Sequence, residues 1–148
     1  MASLRYPRSM SFVAPDYRAE IRRFVSGYSG EHENAIARCG DVFDFYARLM
    51  VDARVTGEAR SLVAVVLAYF VIPEDVLPEA ELGPYGMLDD LFLAAHVYRS
   101  LTRMLEPKLL AEAWAEDDDL ASVMSMIYDE SRRALGKQRK DVLRLAGL

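Results

Sequence analysis

At 148 residues, with 52% hydrophobic and 28% charged side chains, the chain is long enough to bury a core without disulfides or a structural metal, and its composition excludes global disorder. A formal net charge of −5 counts against general nucleic-acid binding, which depends on neutralising phosphates with lysine and arginine. The single cysteine, Cys39, excludes an intrachain disulfide and a cysteine-only zinc site, and suits a reducing, cytoplasmic compartment.

Residues 1–15 carry Pro7 and Pro15 without clear periodicity and read as an N-terminal arm, with residues 16–148 forming one helical domain. The opening MASLRYPRSM has arginines but no apolar run behind them, so no secretory signal or presequence is expected. Asp16 is predicted to cap a first helix that ends near Gly27. The stretch Ser29 to Glu33 then opens a second helix, long and amphipathic, in which Ile36, Cys39, Phe43, Tyr46, Met50 and Ala53 recur at steps of three and four. His32, following Glu31, reads as a surface residue of its first turn.

Beyond Gly57 lies EARSLVAVVLAYFVI, in which residues 62–72 are apolar on every side. The 12 residues from Leu62 to Pro73 fall short of the roughly 20 that a membrane-spanning helix needs. Its valines lower the helical propensity. No second strand-like run exists to pair with it, so the segment is predicted as a central buried helix with Val66 and Phe70 in the core.

The turn that follows, within AYFVIPEDVLPEAELGPYGMLDDLF at 68–92, holds three prolines, two glycines and an excess of carboxylates. Pro73 cannot continue the preceding helix, and Pro78 and Pro84 stiffen the connection. Gly83 and Gly86 permit backbone angles closed to other residues. Asp75 is placed to accept hydrogen bonds within its own turn, and Asp89 and Asp90 fall in the first turn of the next helix, where free N–H groups favour acidic side chains.

That next helix places Leu88, Leu91, Ala95, Tyr98, Thr102 and Leu105 on one face, and Pro107 should end it. Trp114 sits on a short segment. Asp117 reads as the N-cap of a helix whose apolar face is Leu120, Val123, Met124, Ile127 and Tyr128, and Gly136 as its C-terminal cap. Val142, Leu143 and Leu145 supply the apolar side of a last turn or two. The expected fold is all-α: a compact bundle of about five to seven helices around a central apolar helical hairpin. Acid gathers at Glu112, Glu116, Asp117, Asp118 and Asp119, and base at Arg132, Arg133, Lys137, Arg139, Lys140 and Arg144; both read as solvated helix ends.

The pattern Ala68, Tyr69, Pro73, Asp75, Pro78, then Gly86, Leu88, Asp89, Asp90 resembles the YkvA-like family of domains of unknown function. The signature of that family is an apolar helix, a proline and aspartate turn, and a glycine followed by paired aspartates. The resemblance covers about residues 62–101 and implies a helical hairpin there, without naming a chemistry. Glu74 stands where a large apolar residue is usual, and Glu79 where aspartate is usual.

Two functions suit the turn. As a rigid acidic element built from Pro73, Asp75, Pro78, Gly86, Asp89 and Asp90, it would serve a protein–protein interaction or adaptor module with no cofactor. Alternatively, Asp75, Glu79, Asp89 and Asp90 supply the clustered oxygens that a divalent cation requires, as in a metal-dependent hydrolase, although the spacing matches no EF-hand loop. His96, seven residues after Asp89, shares a helix side with it and with Ser100 and Arg103. With no nucleophile motif, phosphate loop or second placed histidine, this strip reads as solvent-facing and the non-enzymatic reading is favoured. A peripheral membrane adaptor is disfavoured by the short apolar helix and by the acidic net charge.

Overall fold

The computed structural model describes residues 13–71 and 86–148, with side chains from Tyr17 onward. Among these residues the order is α1 (Val13–Val25), α2 (Glu33–Ile36), α3 (Cys39–Val51), α4 (Gly57–Val71), α5 (Leu88–Met104), α6 (Pro107–Ala113), α7 (Leu120–Leu135) and α8 (Arg139–Leu145), with a 3-10 turn at Gly136–Gln138. Five of these helices are long and three are short, so the chain is all-α as its periodicity predicts.

Helix α1 begins at Val13, three residues before Asp16, the residue expected to cap it. Pro15 lies in the first helical turn, where its missing N–H has no intrahelical partner to lose. The long helix predicted from residue 29 is instead two. A tight turn at Ala37 and Arg38 separates α2 from α3, with the Arg38 N–H reaching back to the Ala35 carbonyl at 3.0 Å. Arg38 is held there by side-chain partners: its guanidinium bonds Asp118 at 2.6 Å and lies 5.3 Å from the centre of the Trp114 ring. Helix α3 stops before Ala53, which is exposed, and Val55 takes the next core position.

Helix α4 buries Ala59, Val63, Val66, Leu67, Tyr69 and Phe70, the three-and-four spacing of a single face. Its other side is not buried: Ala68 is exposed, and Leu62, Ala64, Val65 and Val71 are half-buried. The central helix is instead α5, in which every residue from Leu88 to Ala95 is buried, together with Val97 and Leu101. It packs against α2, α3, α4, α7 and α8. Thr102, predicted on its apolar face, is exposed.

The packing that joins α1, α3 and α4 is aromatic. Phe43 meets Tyr17 edge to face at 5.2 Å between centroids and Phe70 at 5.5 Å, an arrangement that aligns ring edges with ring faces. The Tyr17 hydroxyl donates to the Phe70 carbonyl at 2.7 Å. That carbonyl is among the last four of α4, which have no partner within the helix. Tyr46 likewise donates from α3 to the Ala94 carbonyl of α5 at 2.6 Å, and burial holds its phenol well above the ordinary value.

Pro107 is the first residue of α6, and α5 ends at Met104 as predicted. The N-cap of α7 is Asp119, not Asp117: its carboxylate accepts from the Ser122 N–H at 3.0 Å and from the Ser122 hydroxyl at 2.9 Å. Gly136 caps the other end with φ 55°, a left-handed value that favours glycine. Of the three apolar residues at the end of the chain, Val142 is buried, Leu143 half-buried and Leu145 exposed.

Phe70 is 3% exposed and touches both neighbouring helices through Phe43 and Tyr17. Phe70→Ala is therefore expected to cost about 3–5 kcal/mol in denaturant unfolding. A loss below about 1 kcal/mol would show that the hairpin is not anchored at this ring.

Candidate functional site: the aspartate end of the hairpin

Gly86 and Met87 form a 3-10 turn that delivers the chain into α5, and both are buried. The two residues after Leu88 are Asp89 and Asp90, 0% and 1% exposed. Two adjacent carboxylates at this depth require compensation, because removing an ion from water costs several kcal/mol even after relaxation. The first compensation is positional. Both lie in the first turn of a 17-residue helix, where free N–H groups and the macrodipole favour negative charge.

The second is specific to Asp89. One carboxylate oxygen accepts from the Asp90 N–H at 2.9 Å. The other accepts from the Tyr69 hydroxyl at 3.4 Å. Tyr69 occupies the last turn of α4, so this contact links the two arms of the hairpin. Neither Asp89 nor Asp90 is a free carboxylate.

Asp89 and Asp90 are consecutive in the first turn of α5, and Gly86 precedes that helix. Pro73, Asp75, Pro78 and Glu79 lie outside the described residues. Among the described residues, no three histidine, cysteine, aspartate or glutamate side chains are grouped to hold a metal ion.

The strip from Asp89 through His96 is not solvent-facing. Asp89 is buried, and His96 is half-buried beside Phe92, with 5.9 Å between ring centroids. Burial and the neighbouring Arg99 lower the His96 pKa, favouring the neutral imidazole. His32 is not a surface residue either. It takes a left-handed conformation with φ 61°, and its ring nitrogen pairs with Glu130 of α7. The hydrogen bond from His32 holds the Glu130 carboxyl below its usual range.

Sequence reasoning missed a third buried carboxylate. Asp44 of α3, 5% exposed, is met by Arg18 at 2.6 Å, Arg48 at 3.2 Å and Arg22 at 3.8 Å. The available signal was the Phe43–Asp44–Phe45 run, which puts an acid inside an aromatic segment, and Arg48 one turn later. These ion pairs fasten α1 to α3. Gly40 permits the close approach, since a Cβ there would stand 2.7 Å from the Arg22 side chain.

Comparison with known proteins converges on the same stretch. Residues 59–95 match the family model described as "Protein of unknown function (DUF1232)", which spans α4, the turn and the first half of α5. The hairpin is thus similar to the DUF1232 family. Over 124 residues the chain is 28% identical to "Uncharacterized protein ORF9" of Methanothermobacter thermautotrophicus, covering 84% of this chain and 85% of that protein. That similarity extends well beyond the DUF1232 hairpin into the flanking helices. No solved structure matches the chain significantly.

The Tyr69–Asp89 contact gives a graded expectation. Asp89→Asn keeps an acceptor oxygen for the Asp90 N–H and presents an amide N–H to which the Tyr69 hydroxyl can act as acceptor, so it should be mild. Asp89→Ala leaves a buried hydroxyl and a buried N–H without a partner on this side chain and should cost about 1–3 kcal/mol. Urea unfolding of the two variants measures the difference. Equal losses would mean that the carboxylate charge, rather than the acceptor geometry, holds the hairpin.

Proposed function

We propose that the protein is a non-enzymatic helical interaction module of a reducing compartment, which presents the Pro/Asp turn between α4 and α5 to a protein partner. The observation that supports this reading most is the engagement of Asp89 by Tyr69 and by its own helix turn. A carboxylate committed to joining α4 to α5 is a brace, and it fixes the two helix ends between which the recognised segment is presented. Preorganisation of this kind lowers the entropy lost on association. The half-buried His96 supports the same reading, because it lies against Phe92 rather than beside an activating carboxylate.

The test is affinity capture with the full chain, followed by identification of the captured proteins and reconstitution with each purified candidate. A partner that binds the native chain is expected to bind Glu79→Lys and Pro78→Gly at least tenfold more weakly, while both variants keep the native unfolding midpoint. The reading is overturned if binding is indifferent to the turn, or if the chain hydrolyses phosphoesters in a magnesium-dependent reaction that Asp75→Asn abolishes.

A further inference from the structure

The carboxylates and cations of this chain are not mixed evenly. Residues 132–148 carry six cations and one anion, a net +5 in a chain whose total is −5, so the remainder carries −10. Elsewhere five of the nine arginines with described side chains pair with carboxylates: Arg18, Arg22 and Arg48 with Asp44, Arg38 with Asp118, and Arg54 with Asp52 and Glu112. At the C-terminal end, Arg133 pairs with Glu130 and Arg144 with Asp141. Among the described residues, no carboxylate forms an ion pair with Arg132, Lys137 or Lys140.

The same surface also exposes apolar side chains. Leu145 is 57% and Leu148 51% exposed, and α8 is held to the bundle through its other side, where Val142 is fully buried. Lys140, Leu143, Arg144, Gly147 and Leu148 together line one open, shallow cleft. Lys140, Arg144 and Leu148 follow at four-residue steps, with Lys137 one turn earlier. Unanswered cations and bare leucines therefore lie together in the C-terminal segment, with Lys140 and Leu148 on the cleft itself.

We infer that this C-terminal face docks on an anionic lipid bilayer. Lys137, Lys140 and Arg132 would engage headgroup phosphates and carboxylates, and Leu145 and Leu148 would enter the boundary between headgroups and acyl chains. Charge complementarity calls for an anionic partner, and the leucines select among anionic partners. A phosphate backbone is recognised by cations and hydrogen-bond donors and offers nothing to two exposed leucines, whereas an interfacial site combines basic residues with apolar ones. The net charge of −5 does not oppose this docking, because at physiological salt a charge is felt over only about 8 Å. The acidic remainder instead orients the molecule with its basic end toward the bilayer. This inference is independent of the role given to the Pro/Asp turn.

Flotation of the full chain with phosphatidylcholine vesicles, with and without phosphatidylserine, tests it. Binding is expected only to the anionic vesicles and should weaken with added salt. Lys137→Glu with Lys140→Glu should reduce it by about tenfold or more, since each cation near an anionic leaflet contributes separately. Leu145→Ser, which leaves every charge in place, should reduce it severalfold. All three positions are exposed, and unchanged unfolding midpoints confirm that the variants fold; should the double variant fail to fold, Arg132→Glu replaces it. The inference is overturned by equal binding to neutral and anionic vesicles, by binding to neither, or by indifference to Leu145→Ser. Tighter binding to duplex DNA than to anionic vesicles at the same salt would likewise overturn it, in favour of a nucleic-acid surface.

Discussion

The burial of Asp89 and Asp90 at the start of the most enclosed helix is the constraint on which the rest of the architecture depends. A pair of carboxylates cut off from water is tolerable only where fixed dipoles and donors replace the lost hydration. The N-terminus of α5 supplies the dipoles, and the Tyr69 hydroxyl supplies a donor from the opposite arm. This ties the position of α4 to that of α5. Gly86 and Met87, both buried, deliver the chain into α5 at that point.

Around that hairpin, two kinds of fastening hold the outer elements. Aromatic contacts and tyrosine hydroxyls work at depth, with Tyr17 and Tyr46 donating to carbonyls at 2.7 and 2.6 Å. Ion pairs work nearer the surface: Asp44 gathers three arginines, and Arg38 reaches from the start of α3 to Asp118. The acidic stretch before α7 is solvated, as expected, and also carries contacts to the two ends of α3, because Arg38 and Arg54 meet Asp118 and Glu112. Among the described residues, the basic end is paired only locally, Arg133 with Glu130 and Arg144 with Asp141. Charge segregation in the sequence thus has two different structural meanings at its two ends.

Periodicity made much of this legible. The apolar faces of α3 and α7, the stop before Pro107 and the cap at Gly136 follow from local chemistry, whereas the helical hairpin is implied by the family resemblance. The misreadings have physical causes. Helix α4 reads as central because it is apolar all round, yet small and branched residues such as Ala64, Val65 and Ala68 tolerate partial exposure, so composition overstated its burial. Helix α5 reads as amphipathic because Asp89, Asp90 and His96 are polar, yet its first half is enclosed on every side. Burial of a charge depends on partners distant in sequence, here Tyr69 at twenty residues, and periodicity carries no record of them. The break at Ala37–Arg38 escaped for a related reason: no glycine or proline marks it, and Arg38 is held by Trp114 and Asp118 from far along the chain.

The central claim is that the hairpin's carboxylates brace two helices rather than hold an ion. The most direct measurement is a magnesium and calcium titration of the full chain with residue-resolved nuclear magnetic resonance, paired with unfolding in each ion and in chelator. The account predicts that neither ion produces saturable shifts confined to Asp75, Glu79, Asp89 and Asp90, and that the unfolding midpoint is the same with ion and with chelator. Saturable shifts at those four residues, with a stabilisation of several degrees that Asp89→Asn and Asp90→Asn lose while remaining folded, would contradict it.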